Sequence, residues 1–395
     1  MITKVRHILL KGIEVYSEGK IIKNGFIKIK GQKVSEIGSI EMLANEDKFE
    51  IIQVPVHFKA IPGFIDVHIH GVNGADTMDA TEEALDTIVS ALPKEGTTSF
   101  LATTITQERK QIEKALINTG KYIKQQPSKG KAEILGIHLE GPFVNTKRAG
   151  AQPMKHIIDP NLALFKIWQS LSNGNIKLVT LAPERPGGLE MIRYLTENGI
   201  IASIGHSDAT YNEVTEAINA GANHITHLYN QMRGLHHREP GVVGAAFLRD
   251  ELKAEIIVDG VHVRPEAAVL AYKQKQSDGI ILITDSIRAK CLKDGKYDLG
   301  GQEVTVQDGK AVLSDGTLAG SILRFAQAVQ NIVHFTGCSL EDAIKMSSIN
   351  PAKQLNIYDR KGSIAKGKDA DIVILDENLE VVMTFCRGEL AYRKE

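Results

Sequence analysis

The chain has 395 residues, and its 43% hydrophobic and 24% charged content is that of an ordinary globular protein with a large core. Lysines and arginines (47) balance aspartates and glutamates (48), so no overall field favours nucleic acid or an anionic membrane as a partner. Three scattered cysteines, no apolar run of roughly 20 residues and no signal-peptide core predict a cytoplasmic protein without disulfides or membrane spans.

The first part of the chain predicts a small β-domain. Residues 8–61 form short alternating runs separated by glycine turns, and Asn24-Gly25 between two such runs is typical of a β-hairpin. No glycine-rich fingerprint follows these strands, which argues against a nucleotide-binding βαβ unit. We therefore expect residues 1–61 to form the first part of this domain.

From residue 62, strand-like runs alternate with amphipathic helical runs. The predicted strands are Phe64–His68, Ser99–Thr103, Ile134–His138, Lys177–Leu181, Ile200–Ile204, His224–His227, Ala254–Val258 and Gly279–Thr284. The predicted helices between them include Thr81–Lys94, Gln107–Gln126, Gly188–Asn198, Thr210–Ala220 and Pro265–Gln276. Eight strand–helix repeats predict an α/β fold, a (β/α)8 TIM-like barrel, over residues 62–352.

The rest of the chain predicts an insertion and a return to the β-domain. Glycine and Asp-Gly turns between residues 293 and 317 indicate a hairpin insertion after the eighth strand. Helices are expected at Ser321–Phe335 and Ser339–Ser348. Strands at Gly367–Leu375 and Val381–Ala391 are expected to rejoin the first strands, so that residues 1–61 and 353–395 form one small β-sandwich domain.

The segment Pro62–Gly71 carries the first candidate metal ligands. Alternation places His68 and His70 on one face near a strand end, where two imidazoles can chelate a metal. Alone, the pair could equally be two unrelated histidines, but further ligand-type side chains follow later strands, where a barrel has its site. These further candidates are Glu140, His206, His227 and Asp285. Nitrogen and carboxylate ligands without thiolate predict a divalent metal, with zinc or iron ahead of manganese or cobalt.

The order of these ligands resembles the amidohydrolase superfamily and, within it, the N-acetylglucosamine-6-phosphate deacetylase family. Segments that metal binding does not require also match, and the resemblance covers essentially the whole chain. The matching segments are Pro62–Gly71, His138–Phe143, Leu181–Glu184, Gly205–Ser207, Thr226–Met232, His236–Gly241, Asp259–His262 and Thr284–Gly301.

The resemblance implies hydrolysis of the acetamide of N-acetyl-D-glucosamine 6-phosphate to D-glucosamine 6-phosphate and acetate, in amino-sugar catabolism and cell-wall recycling. It assigns Glu140, His206 and His227 to the principal metal, and Asp285 to the general base and acid. Some family members lack the first-strand histidine pair and work with one metal. Because this chain keeps that pair, a second metal bridged by Glu140 is expected, giving one or two metals per subunit.

The resemblance also implies contacts to the phosphorylated sugar. They are Ala151, Gln152, Asn230, Gln231, Arg238, His262, Leu318, Ala319 and Gly320. Arg238, as a charged fork, and Asn230, as a neutral donor, are suitable phosphate partners. Gln152 departs from the family, in which many members have a histidine that polarises the carbonyl. Its amide can donate a hydrogen bond but carries no charge, so a second metal is the alternative polarising group.

The resemblance further suggests a homodimer in which the Arg238 loop reaches the partner's site, although action within one chain stays open. The apolar run at residues 241–247, behind that loop, is interpreted either as an internal element or as an interface patch. Two other functions are alternatives: another amidohydrolase-superfamily amidase or deaminase, and a non-catalytic barrel scaffold. A glutamate in the bridging position, where cyclic-amide hydrolases use a carboxylated lysine, argues against the first. Retention of all six ligands argues against the second.

Overall fold

The computed structural model describes residues 7–395, and its elements are numbered in chain order. The strands are β1 (His7–Ser17), β2 (Lys20–Lys30), β3 (Lys33–Ser39), β4 (Glu50–Gln53), β5 (Lys59–Pro62), β6 (Phe64–Ile69), β7 (Gly71–Val72), β8 (Ala75–Asp76), β9 (Thr97–Thr104), β10 (Glu133–Glu140), β11 (Ile176–Leu181), β12 (Ile201–Ile204), β13 (His224–Ile225), β14 (Lys253–Ile256), β15 (Ile280–Leu282), β16 (Gly295–Leu299), β17 (Gln302–Gln307), β18 (Lys310–Val312), β19 (Ile372–Leu375), β20 (Val381–Cys386) and β21 (Glu389–Arg393). The α-helices are α1 (Glu82–Ala91), α2 (Arg109–Gln125), α3 (Leu162–Leu171), α4 (Gly188–Glu197), α5 (Tyr211–Ala220), α6 (Gly241–Leu248), α7 (Pro265–Gly279), α8 (Phe325–Thr336), α9 (Leu340–Ile344) and α10 (Asn350–Gln354).

Eight parallel strands within residues 7–395 form the barrel sheet, in the order β6, β9, β10, β11, β12, β13, β14, β15. Every residue of β6 is buried, as expected for a parallel strand covered on both faces. The first and last strands meet at their carboxyl ends, where the Asp285 N–H donates to the His68 carbonyl at 2.8 Å and Ile69 pairs with Ser286. The predicted barrel is confirmed, and it closes at the predicted metal ligands.

The helices follow the predicted order, and α3, α6 and α10 lie outside the ranges given for the predicted helices. The Thr81 hydroxyl caps α1 by accepting from the Ala84 N–H at 3.2 Å. The predicted helices do not include α6, which is apolar on all sides and so lacks the period of a surface helix. Its residues 241–246 are buried within the chain, which favours the internal-element interpretation, although Leu248 is 64% exposed. Among residues 7–395, no helix combines the length and hydropathy that crossing a bilayer requires.

Strands from both ends of the chain join in one hydrogen-bonded sheet. β1 pairs antiparallel with β2, and its two halves pair parallel with β4 and β5. β19 lies antiparallel to β5, with Ile372 opposite Pro62, and the sheet continues through β20 and β21. The predicted return of the last strands to the first is therefore confirmed, while the boundaries at residues 61 and 352 stay a prediction.

The predicted insertion is a three-stranded antiparallel sheet, β16–β17–β18. Two glutamines fix it to loops at the carboxyl ends of barrel strands. Gln302 Nε2 donates to the Ala151 carbonyl at 2.7 Å, and Gln107 Nε2 donates to the Gly300 carbonyl at 2.6 Å. The insertion is thereby held at the mouth of the barrel.

A buried ionic network joins the opposite end of the barrel to the sheet of the chain ends. Glu133, which begins β10, accepts two hydrogen bonds from Arg360, at 2.9 and 3.0 Å, and lies 2.8 Å from Lys361 Nζ. Burial alone would raise the pKa of Glu133, but the charges and hydrogen bonds of Lys361 and Arg360 outweigh it and lower the pKa to about 2.

Glu133→Gln is expected to destabilise the protein at neutral pH by about 3 kcal/mol, because the ordinary glutamate pKa of 4.5 falls to about 2 on folding. A carboxyl whose pKa is lowered by folding stabilises the native state above pH 4.5, and this contribution is lost as the pH falls towards 2. Urea denaturation at several pH values should therefore show a difference between wild type and variant that shrinks between pH 5 and pH 3. Glu389→Gln, which removes the half-buried partner of the exposed Lys129, is the control. An equal difference at every pH would contradict this assignment.

Candidate metal centre and substrate pocket

The six predicted metal ligands come together at the carboxyl ends of the barrel strands. His68 lies in β6, His70 follows it, Glu140 ends β10, and His206, His227 and Asp285 follow β12, β13 and β15. All six are buried, and the most exposed of them, Asp285, retains only 8% of its accessible surface. Buried charges and imidazoles at this density need partners of opposite charge, either in the protein or as a bound ion.

Glu140, His206 and His227 form the first group of ligand atoms. Glu140 Oε1 lies 3.2 Å from Nε2 of each histidine, and the three ligand atoms lie within 4.8 Å of one another. Two imidazole nitrogens and one carboxylate oxygen leave coordination positions for water and substrate, as catalytic zinc sites require. This group can hold one metal ion.

A second group lies beside the first and shares Glu140 with it. His70 Nε2 is 3.2 Å from Asp285 Oδ1 and 3.4 Å from Glu140 Oε2. His68 Nε2 is 3.4 Å from Asp285 Oδ1 and 3.5 Å from Glu140 Oε1. Glu140 thus faces both groups, which is where a bridging carboxylate has to lie.

The backbone bends sharply at three of the ligands. His206, His227 and Asp285 have φ angles of 46°, 32° and 48°, a left-handed region that residues other than glycine rarely occupy. Such a conformation costs on the order of 1–3 kcal/mol per residue and is concentrated at functional sites. Here it occurs two or three residues after each strand ends, at residues whose side chains belong to the two groups of ligand atoms.

Hydrogen bonds on the outer nitrogens orient the histidine rings. His206 Nδ1 lies 2.8 Å from the Arg148 carbonyl, and His68 Nδ1 lies 2.9 Å from Glu255 Oε2. Because carbonyl and carboxylate oxygens only accept, both Nδ1 atoms carry the proton and both Nε2 atoms are left as ligands. His68 Nε2 is buried without a hydrogen-bond partner, a vacancy that a cation satisfies. The residues therefore fit a divalent metal.

The charges of the cluster favour a cation. Burial lowers the pKa of His70, but hydrogen bonds to Asp285 and Glu140, together with their charges, outweigh burial and raise the pKa to about 10. Burial raises the pKa of Glu140, but the charge of His68 and the hydrogen bonds of His206 and His227 hold that pKa well below its usual range. The cluster therefore stabilises positive charge. A divalent metal that displaces the protons of the histidines can supply this charge.

Sequence reasoning missed three buried polar residues beneath the ligands. Glu255 lies in β14 and contacts His68 and His224, while His138 lies in β10. His68, His138 and Glu255 are close enough to suggest a further metal site. Both ring nitrogens of His138 are already engaged, however, by the Val67 carbonyl at 3.1 Å and the Thr180 hydroxyl at 2.7 Å. The signal that could have found Glu255 is a carboxylate within the apolar run of a predicted strand.

A cavity of about 240 Å³ opens above the two ligand groups. Seven of the nine predicted substrate contacts line it: Ala151, Gln152, Asn230, Gln231, His262, Leu318 and Gly320. Ile105, Leu299 and Thr317 also line it and were not predicted. Leu299 belongs to β16 and Thr317 follows β18, so the insertion contributes one wall.

The other two predicted contacts lie elsewhere. Ala319 is fully buried, packs in the core of the insertion and donates its N–H to the Ala311 carbonyl at 2.9 Å. Arg238 lies in an exposed loop outside the cavity, with Nη1 2.8 Å from His237 Nε2. Glu239 does not bind Arg238, because it accepts from the backbone N–H groups of Tyr211 and Gly241.

Gln152 is held in one orientation. Its Oε1 accepts from the Thr106 N–H at 2.9 Å, and its Nε2 donates to Glu140 Oε2 at 2.9 Å. Because only the amide oxygen can accept from Thr106, the amide nitrogen necessarily faces Glu140. One N–H of Gln152 therefore orients the carboxylate shared by the two groups, and the other is left for a substrate oxygen.

His262 is the imidazole on the cavity wall outside the ligand groups. Its Nδ1 lies 2.7 Å from Asp259 Oδ2, so its Nε2 is left for the cavity. Burial lowers the pKa of His262, but the hydrogen bond and charge of Asp259 outweigh burial and raise it. The side chain can therefore present a charged donor to an anionic group.

Comparison with known proteins places this architecture. The model of the amidohydrolase family matches residues 60–391. The chain belongs to the amidohydrolase family. It is 51% identical over 386 residues to the N-acetylglucosamine-6-phosphate deacetylase of Bacillus subtilis, covering 98% of this chain and 97% of that one.

Two solved structures of family members agree closely with the fold. The N-acetylglucosamine-6-phosphate deacetylase of Thermotoga maritima has a TM-score of 0.88 at 38% identity, covering 98% of this chain and all of the other (100%). A mutant of the Mycobacterium smegmatis deacetylase in complex with N-acetyl-D-glucosamine-6-phosphate has a TM-score of 0.91 at 30% identity, covering 98% and 99%. The family assignment made from the sequence is therefore confirmed.

Proposed function

We propose that this chain hydrolyses the acetamide of N-acetyl-D-glucosamine 6-phosphate, giving D-glucosamine 6-phosphate and acetate, in amino-sugar catabolism and cell-wall recycling in the cytoplasm. The observation that most strongly supports this proposal is the cluster of four imidazoles and two carboxylates on the floor of the cavity. The 51% identity to a curated deacetylase and the sugar phosphate bound by the mycobacterial relative support the choice of substrate.

Glu140, His206 and His227 would hold a divalent metal, which when bound would supply Lewis acidity for the amide carbonyl and lower the pKa of water. Zinc or iron suits these ligands best, and manganese or cobalt is the alternative. The carboxylate of Asp285 faces the same space and is the proton carrier. Burial raises the pKa of Asp285, but the charge of His68 and the hydrogen bond of His70 outweigh burial and lower it, so the group begins as a base.

In the proposed reaction, Asp285 transfers one proton from water to the leaving nitrogen. Asp285 accepts a proton from the water that attacks the acetamide carbon, and the carbon–oxygen bond forms. The protonated Asp285 then donates to the amide nitrogen as the carbon–nitrogen bond breaks, because an amine leaves more readily than an amide anion. Gln152 keeps one N–H available for the carbonyl oxygen while its other N–H holds Glu140.

The phosphate needs a cation at the outer end of the cavity. His262 supplies one donor from the cavity wall, and Asn230 supplies a neutral amide beside it. Arg238, whose planar fork suits phosphate, lies outside the cavity of its own chain. We propose a homodimer in which Arg238 reaches the cavity of the partner subunit.

The proposal predicts rapid acetate release from N-acetyl-D-glucosamine 6-phosphate and much slower release from the sugar without phosphate. The panel should also contain the galactosamine epimer, and the products should be measured as acetate and free amine in equal amounts. A charged hydrogen bond to phosphate contributes about 1.5–3 kcal/mol, or roughly ten- to hundredfold in kcat/KM. Release of acetate from none of these sugars would refute the function, and equal rates with and without phosphate would refute the phosphate assignment.

The double variant His68→Ala, His70→Ala is expected to lose about one metal equivalent per subunit, because the second group then keeps only carboxylates. The first group stays complete, so the remaining equivalent should be retained. Elemental analysis after supplementation with zinc gives the stoichiometry, and circular dichroism checks the fold. The matched control is His57→Ala with His334→Ala, since both of these histidines are exposed. An unchanged metal content in the first double variant would remove the second site.

A further inference from the structure

A carboxylate that takes no part in the proposed reaction lies directly beneath the two ligand groups. Glu255, in β14, is completely buried. Its Oε2 lies 2.9 Å from His68 Nδ1 and accepts from the His227 N–H at 3.1 Å, while its Oε1 lies 3.0 Å from His224 Nε2. Three N–H donors, one from β6 and two from β13 and the turn after it, thus converge on a single buried side chain. Burying a charge is costly, so its retention here requires an explanation.

Glu255 contacts one residue of each ligand group. At His68 it binds the outer ring nitrogen, which leaves the inner nitrogen, Nε2, facing Asp285 and Glu140 at 3.4 and 3.5 Å. At His227 it binds the backbone instead of the ring. The two contacts therefore act differently. The contact to His68 determines which nitrogen of its ring is the ligand, whereas the contact to the His227 backbone determines the position of the His227 ring.

The backbone contact falls at a strained residue. His227 has a φ of 32°, and the segment is held on both sides of it: the His227 N–H donates to the Glu255 carboxylate, and the Leu228 N–H donates to the Glu255 carbonyl at 2.8 Å. A residue in this conformation persists only where its surroundings hold it. Glu255 is therefore placed to hold the turn that points His227 at the first group.

Glu255 is not itself free to bind a metal. Both of its oxygens are occupied by N–H donors, and the nearby His138 has both ring nitrogens engaged. The cluster of His68, His138 and Glu255 is for that reason a support beneath the centre and not a third metal site.

We infer that Glu255 is a positioning residue that couples the two metal groups, fixing His68 Nε2 towards the second and the His227 turn towards the first. This inference rests on the proposed metal centre. It implies that loss of one carboxylate weakens metal binding at both positions, although Glu255 touches neither metal. By contrast, loss of His70, which is a ligand of the second group only, weakens metal binding at the second position alone.

Metal release from the zinc-loaded protein tests the inference without an activity assay. Mixing with a chromophoric chelator gives the rates at which the metal equivalents leave. Glu255→Gln keeps the shape but presents an NH2 group to donors, so we expect both equivalents to leave about 10–100-fold faster. Glu255→Asp keeps the charge and should recover part of the loss. His70→Ala should speed the release of one equivalent only.

The control for a general loss of stability is Glu133→Gln. Glu133 is also an ion-paired glutamate and is largely buried, but it lies at the opposite end of the eight-residue strand β10, roughly 23 Å from Glu140. This variant should be destabilised and yet release metal at the wild-type rate. Release from Glu255→Gln at the wild-type rate, or acceleration of only one equivalent, would overturn the inference.

A measurement on the wild type covers the case in which Glu255→Gln does not fold. In zinc-loaded protein labelled with ¹⁵N-histidine, His68 is assigned by its loss in His68→Ala, and its Nδ1 should carry a proton while Nε2 does not. A proton-free Nδ1 would refute the inference. A wild type that binds no metal would refute the proposed function, whereas normal binding together with unchanged release from Glu255→Gln refutes only the role of Glu255.

Discussion

Asp285→Asn is expected to lower kcat for acetamide hydrolysis by about 10²–10⁴, the usual contribution of a general acid–base group. Asparagine has nearly the same size but cannot accept a proton from water and return it to the leaving nitrogen. Turnover with N-acetyl-D-glucosamine 6-phosphate, measured at saturating substrate, gives the effect directly. The Michaelis constant should change much less than kcat, because the side chain acts on the proton and not on the sugar.

The fold is expected to survive this change. The backbone of residue 285 donates to the His68 carbonyl and accepts from the Ser321 N–H, both at 2.8 Å, and neither bond needs the side chain. The φ of 48° at this position is one that asparagine tolerates better than most residues. Near-normal turnover in the folded variant would show that Asp285 is only a ligand, and another proton carrier would then have to be found.

The positions of the metal ligands could be predicted from the sequence because they follow local rules. Buried parallel strands read as apolar runs, and all their carboxyl ends meet at one mouth of a barrel. The position of a histidine or carboxylate directly after such a run in the sequence therefore predicts that it lies at the mouth of the barrel. His206 and Asp285 were located in this way, and the structure brings them to the same centre.

Features that depend on distant parts of the chain could not be predicted in this way. Glu255 supports His68 across 187 residues of sequence, and Gln152 is fixed by Thr106 across 46. Neither contact leaves a periodic pattern. Helix α6 escaped prediction for a different reason, since a helix that is apolar on all sides has no polar face to reveal its period. Ala319 lies between two residues that line the cavity, Leu318 and Gly320, yet its own side chain packs in the core of the insertion.

The proposed role of Arg238 in binding phosphate needs a second subunit, because its loop lies outside the cavity of its own chain. Arg238 lies on an exposed loop, while the cavity it is proposed to serve is lined by residues of the same chain without it. Leu235, which precedes this loop residue in the chain, and Leu248, which ends α6, are 59% and 64% exposed. A two-fold symmetric contact would cover both leucines and carry each Arg238 to the partner's cavity.

Mixing two impaired variants is expected to restore activity if Arg238 acts on the partner's site. Arg238→Ala and Asp285→Asn are combined under conditions of subunit exchange and assayed at a substrate concentration well below the Michaelis constant of Arg238→Ala. A mixed dimer then contains one site with both defects and one intact site, so it regains about half of wild-type activity, or about a quarter for an equal mixture after random exchange. If Arg238 acts within its own chain, every site carries one defect and no activity returns. Light scattering supplies the control, because a monomer at the assay concentration would exclude a shared site whatever the mixture does.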